Sequence, residues 1–252
     1  MVSHETRKEI LAAIKLSWAV GLGLIPLGLA FGLFLTQSGF DWWWTPIFSI
    51  VIYAGSMEFL AVGLVTQGVG PLSAALTGFM VNFRHIFYGL TFPRHRIKNK
   101  YAKGYVTYAL TDESYAIVSA HDLAATRRAE KQLSGRQILT IVIWCQLLWV
   151  VSGIFGALCG AFLPADIKGM DFALTALFAV LAWEAFAAHK DLSLIIIASC
   201  LALAVIVLAP DKILVLALTL YFLSLVLRHL SPRLDKALEI QLGSSDKDTK
   251  HD

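Results

Sequence analysis

Three stretches of this 252-residue chain carry ionisable side chains inside otherwise apolar runs. In GPLSAALTGFMVNFRHIFYGLTFPRHRIKNK, an apolar helix is expected from Pro71, with Asn82, Arg84 and His85 in its second half and a stop at Pro93. YAGSMEFLAVGLV holds Glu58, and YVTYALTDESYAIVSA holds Asp112 and Glu113. Each such group in a membrane segment costs about 2.5–3.5 kcal/mol on insertion scales, so its presence calls for a wet, functional surrounding. The chemistry this set can perform is charge recognition and proton transfer: a guanidinium, an imidazole, an amide and three carboxyls facing a substrate or proton pathway. Asn82, His85 and Gly89 follow i, i+3, i+7 spacing and share a helix face, whereas Arg84 and Tyr88 form an i, i+4 pair turned partly away. Two polar faces on one helix imply two neighbours.

Composition fixes the class of element that must position these groups. Hydrophobic residues make up 57% of the chain and charged ones 15%, and the mean hydropathy is +0.67, far from the globular norm. The chain reads as an all-α integral membrane protein, a bundle of seven or eight hydrophobic helices with at least one broken or re-entrant. Its net charge of +3, from 21 Lys and Arg against 18 Asp and Glu, sits in the breaks and tails. It therefore speaks to orientation rather than to nucleic acid. Cys145, Cys159 and Cys200 lie inside apolar blocks without metal-ligand spacing, and no metal or cofactor is expected. HExxH, GxSxG and GxxxxGK[ST] are all absent, which argues against an enzyme and against ATP use by this chain.

The organisation expected is a polar N-terminal lead over 1–15, a single transmembrane domain over 16–228 and a polar, disordered tail over 229–252. The block Leu16 to Leu35 is longer than a signal-peptide core. Its centre, GLGLIPLGLAFG, allows close packing through the Gly28 and Gly32 pair, or a helix broken at Pro26 whose freed backbone groups meet a substrate. Trp42, Trp43 and Trp44 mark a headgroup boundary. Glu58, a dozen residues beyond Pro46, falls near mid-depth for a straight helix. The spacing from Gly28 and Gly32 to Glu58 resembles that from Gly156 and Gly160 to Glu184, a hint of an internal repeat. Glu184 itself stands where snorkelling toward His189 and Lys190 is expected. The blocks Leu192 to Leu208 and Ile213 to Leu227 are nearly pure aliphatic, as scaffold helices are. Placing the basic breaks at Arg94 to Lys103 and Arg127 to Arg136 together in the cytoplasm requires a re-entrant Tyr105 to Ala120, and leaves the N-terminus outside with Arg7, Lys8 and Lys15 as exceptions.

The ordered set IPLGLAFG, YAGSMEF, VNFRHIFYGL, LTDESYAI and MDFALTALF resembles the AzlC family, the large subunit of two-component branched-chain amino-acid exporters. The resemblance runs over roughly Leu16 to Leu227, with one departure: Glu58 stands where the family pattern often has Gln. It implies a multi-pass protein of the cell inner (plasma) membrane that exports branched-chain or other neutral amino acids, coupled to protons. It also implies a small AzlD-type membrane subunit as partner. A neutral amino acid needs a cation or helix N-terminus for its carboxylate, an acceptor for its ammonium and an apolar pocket. The expected substrate-binding set is Pro26, Gly28, Glu58, Asn82 and Arg84, and the expected proton-coupling set is Glu58, His85, Asp112 and Glu113, all turned toward one shared chamber. The competing class is a channel, or a scaffold subunit whose partner carries the transport.

Overall fold

A computed structural model describes residues 4–163, 175, 179, 182, 183, 186, 191–209, 213–231, 237 and 238. Glu184, His189 and Lys190, with the repeat that Glu184 would complete, lie outside the described residues, as does nearly all of the tail after 231. The described residues form ten α-helices and one 3-10 turn, several apolar blocks being split in two. The chain divides into two compact units, 1–69 with 81–174, and 70–80 with 175–252.

The first unit is built on α1 (His4–Gln37) and α8 (Gly135–Ala161), the two helices long and apolar enough to cross a membrane. Their 34 and 27 residues extend about 51 and 40 Å, beyond the roughly 30 Å of a hydrocarbon core. They run parallel. Arg136 at the start of α8 bonds Thr6 and Glu9 of α1, while Gln37 at the end of α1 donates to the Gly160 carbonyl at 3.3 Å. Small residues permit this contact: a Cβ on Gly32 would strike the Gly153 carbonyl, one on Gly156 the Leu29 carbonyl, and one on Gly28 the Ser152 hydroxyl.

The break expected at Pro26 is not there. α1 continues through it, and Pro26 is exposed while Gly28 is buried. A proline removes one helical hydrogen bond, and the packing of 21–36 along α8 holds the flanking turns in place. Of the two accounts of this block, close packing is the one the geometry supports.

The breaks fall elsewhere and make two opposed hairpins. α2 (Trp44–Val51) enters from the Gln37 end, where Phe40 packs edge-on against Trp44. It stops at Ile52 to Ala54, and α3 (Gly55–Thr66) returns, bringing Phe59 against Phe34. Tyr53 at the tip adopts φ +40°, a left-handed conformation rare for a bulky residue. From the other end, α6 (Lys100–Tyr108) runs inward after Asn99 caps it, and α7 (Asp112–Arg127) runs back. Their tips meet: the Tyr108 hydroxyl donates to the Ile50 carbonyl, and the rings of Tyr53 and Tyr108 lie 6.3 Å apart. The expected Tyr105 to Ala120 segment is thus two half-helices that leave and return at one end. Between the hairpins in sequence, α4 (Pro71–Asn82) and α5 (Arg84–Thr91) are interrupted only at Phe83.

Both basic breaks gather at the start of α1. Arg96 bonds Asp122 at 2.7 Å, Gln132 at 2.7 Å and the Leu133 carbonyl at 3.3 Å. Arg136 bonds Glu9 at 2.7 Å. A cavity of about 520 Å³ lies here, lined from α1 by Glu5 and Glu9 and from the breaks by Arg96, Lys98, Ser134 and Arg136. The N-terminal end of α1 therefore shares an end with both basic breaks, so pairing the breaks does not leave the N-terminus opposite them. Arg7, Lys8 and Lys15 cease to be exceptions to the charge bias.

In the second unit, α9 (Leu192–Leu208) and α10 (Ile213–Leu230) run antiparallel. Asp191 caps α9 by accepting from Ser193 N at 3.0 Å and bonds Arg228 in the last turn of α10 at 2.8 Å.

Candidate functional site

The described residues of the expected site that carry ionisable side chains sit beside breaks. Glu58 is in the first turn of α3, Arg84 opens α5, and Asp112 and Glu113 open α7. Glu58 is close to mid-depth, but not as the middle of a straight helix. It faces Trp149, near the centre of α8, because α2 turns back there. Asp112 and Glu113 likewise belong to a helix start rather than a helix middle. Ser114 Oγ accepts from Thr111 N at 3.0 Å at that start, which satisfies a backbone donor that would otherwise be bare.

The structure brings Arg84, His85 and Asp112 into one contact group. Arg84 Nη2 lies 2.5 Å from Asp112 Oδ2, and His85 Nε2 lies 3.7 Å from Asp112 Oδ1. His85 Nδ1 is 3.1 Å from the Asn82 carbonyl. A carbonyl only accepts, so Nδ1 carries a hydrogen and Nε2 is the nitrogen presented to Asp112. In neutral His85 that nitrogen offers a lone pair to a carboxylate oxygen; a proton between them turns the contact into an attraction. Asp112 Oδ1 and the Asn82 Oδ1 are buried with no hydrogen-bond partner, two acceptors awaiting a donor. Arg84 is 42% exposed at its side chain, Asp112 32% and His85 24%, so the group is open. The rings of Tyr88 and Tyr115 stack at 4.5 Å and Thr91 bonds the Tyr115 hydroxyl at 2.9 Å, tying α5 to α7 behind it.

Glu58 stands apart. It is wholly buried, accepts from Ser49 Oγ at 2.7 Å on Oε2, and accepts from Trp149 Nε1 at 3.0 and 3.1 Å on its two oxygens. Phe31 stacks on Trp149 at 6.1 Å and meets Phe59 edge-on at 5.3 Å, closing the surround. The single chamber expected to hold Glu58, Asn82, Arg84, His85 and Asp112 is therefore two centres, split because the two carboxylates open half-helices of different hairpins. Tyr53 lies within electrostatic reach of both Glu58 and Glu113, and Glu113 also of Tyr88. Pro26 joins neither centre, and Gly28 is spent on the contact with Ser152 and Trp149.

Sequence reasoning missed Ser49, Trp149 and the tip network in which Gln146 accepts from the Tyr105 hydroxyl and donates to Tyr108 Oη at 3.1 Å. Two signals were available: a tryptophan and a glutamine in mid-span, far from any headgroup belt, and the Thr111-x-x-Ser114 box.

Half-helices that meet around charged side chains between two long apolar helices define a class: a helical membrane protein. Within it the chain belongs to the AzlC family, whose description, AzlC protein, matches residues 19–163. It is 31% identical over 189 residues to the branched-chain amino acid transport protein AzlC of Bacillus subtilis, covering 73% of this chain and 72% of that one. It is also 31% identical to an uncharacterized membrane protein of Helicobacter pylori, over 89% of this chain and 96% of the relative. The inner membrane protein YgaZ of Escherichia coli is 32% identical over 65% of this chain and 68% of its own length. No solved structure matches.

Proposed function

We propose that this chain is the large subunit of a secondary transporter that exports branched-chain or other neutral amino acids across the inner membrane, driven by protons and working with a small AzlD-type membrane subunit. The observation that carries the reading is the open Arg84–Asp112–His85 group at the start of α7. With Asp112 ionised, its carboxylate holds the guanidinium. A proton delivered through His85 Nε2 to Asp112 Oδ1 neutralises it and frees Arg84 to pair with the carboxylate of a substrate, an exchange of one anion for another. The unpartnered Asn82 Oδ1 accepts from the substrate ammonium. Glu113, within electrostatic reach of Tyr53 and Tyr88, takes the proton from Asp112 and passes it onward. Glu58, sealed and fully bonded, holds the α2–α3 tip instead of touching substrate. The shared end of α1 and the two basic breaks faces the cytoplasm, by the bias of Lys and Arg.

The test is efflux from liposomes loaded with leucine and containing the purified chain with and without its small partner. A coupled carrier drives leucine against its gradient when a pH difference is imposed. Mere equilibration identifies a channel, and transport that follows the partner alone identifies a scaffold.

A further inference from the structure

The two most aliphatic helices hide an ion pair. Arg228 and Asp191 are 8% and 9% exposed at their side chains and 2.8 Å apart, with Ser193 Oγ bonded to both, to Asp191 Oδ1 at 2.7 Å and from Arg228 Nη1 at 2.8 Å. A buried pair of this kind adds little net stability over apolar packing, and in a membrane protein it marks a functional site by default. Beside it lies a cavity of about 440 Å³, with Asp191, Ser199 and Tyr221 as its polar lining and Leu194, Ile195 and Ala198 among its apolar lining. That volume falls in the range of small-molecule sites, about 300–1,000 Å³.

We propose that this cavity is a second binding site for a neutral amino acid, in the unit that does not contain Arg84 and Asp112. A lone carboxylate would select a cation and a lone guanidinium an anion. Here Arg228, outside the cavity lining, already balances Asp191, so a ligand that brings an ammonium to Asp191 must carry its own anion to keep the site neutral: a zwitterion. Its ammonium faces Asp191, its carboxylate takes the hydroxyls of Ser199 and Tyr221, and its side chain lies on Leu194, Ile195 and Ala198. The inference rests on the substrate class proposed above.

The full chain in lipid nanodiscs, titrated with radiolabelled leucine, tests it. Two leucines per wild-type chain are expected, and one in Ala198→Phe, which fills the cavity. Tyr221→Phe removes one hydroxyl and carries the test if the bulky variant does not fold; it weakens one of the two sites at least fivefold. A single leucine per wild-type chain, unchanged in both variants, overturns the second site while leaving proton-driven efflux, measured separately, to stand or fall by itself. Absence of any bound leucine in the wild type overturns it as well. Loss of the second leucine to competing dihexanoyl phosphatidylethanolamine assigns the cavity to a lipid headgroup and overturns the amino-acid assignment.

Discussion

Glu58 and Asp112 occupy equivalent places and live in opposite surroundings. Each is in the first turn of a half-helix that begins at a hairpin tip, where the helix dipole favours an anion by about 0.3–1 kcal/mol. Glu58 is then walled by aromatic rings and meets only neutral donors, Ser49 and Trp149. Asp112 meets a guanidinium on one oxygen and an imidazole 3.7 Å from the other, and is a third exposed. The first arrangement fixes a carboxyl in one bonding pattern. The second leaves it free to exchange partners. Position along the fold therefore does not set an acid's surroundings; access and the charge of the neighbour differ between the two.

That contrast can be broken most directly at Asp112. Replacing Asp112 with Asn keeps size and hydrogen bonding but removes the exchangeable charge, and proton-driven leucine efflux is expected to fall at least 100-fold with normal yield of membrane protein; efflux within twofold of wild type would place the chemistry elsewhere. At Glu58 the expectation is reversed. Glu58→Ala leaves a buried hydroxyl and an indole N–H without an acceptor, at about 1–3 kcal/mol each, so the melting point in detergent drops sharply. Glu58→Gln retains an acceptor for Trp149 and keeps efflux within about twofold; loss of coupling equal to that of Asp112→Asn would erase the distinction between the centres. His85→Gln sharpens the open side, lowering proton-driven efflux about tenfold while sparing leucine counterflow at equal pH, which a merely structural histidine would not separate. The smallest effect is expected where the two hairpins touch. Tyr108→Phe removes the bond to the Ile50 carbonyl and should raise passive leucine leak two- to fivefold with little change in driven transport.

Much of this was readable from side-chain types, and the parts that were not have a physical reason. The membrane class and the Asn82, Arg84, His85 and Asp112 grouping follow from the cost of charge among apolar residues. Where the helices break did not follow. Pro26 allowed an interruption as well as close packing, yet α8 holds α1 across it, and the breaks at Ile52–Ala54 and Ala109–Thr111 contain neither proline nor glycine. Tyr53 is left-handed at the tip, and nothing in its own residue type announces that. The aliphatic blocks that became α9 and α10 gave no warning that Asp191 would meet Arg228, since those residues are 37 positions apart and only the antiparallel return unites them.

The glycine contact between α1 and α8 bears on how the protein is made. α1 leaves the ribosome before α8, and the groove it must occupy begins at Gly135, about a hundred residues later. Until then Gly28 and Gly32 have no α8 backbone to receive them, and both hairpins are synthesised before the frame that will clasp them exists. Assembly is therefore completed from the outside in time and the centre in space: the opening helix waits, and the arrival of its late companion locks everything threaded between.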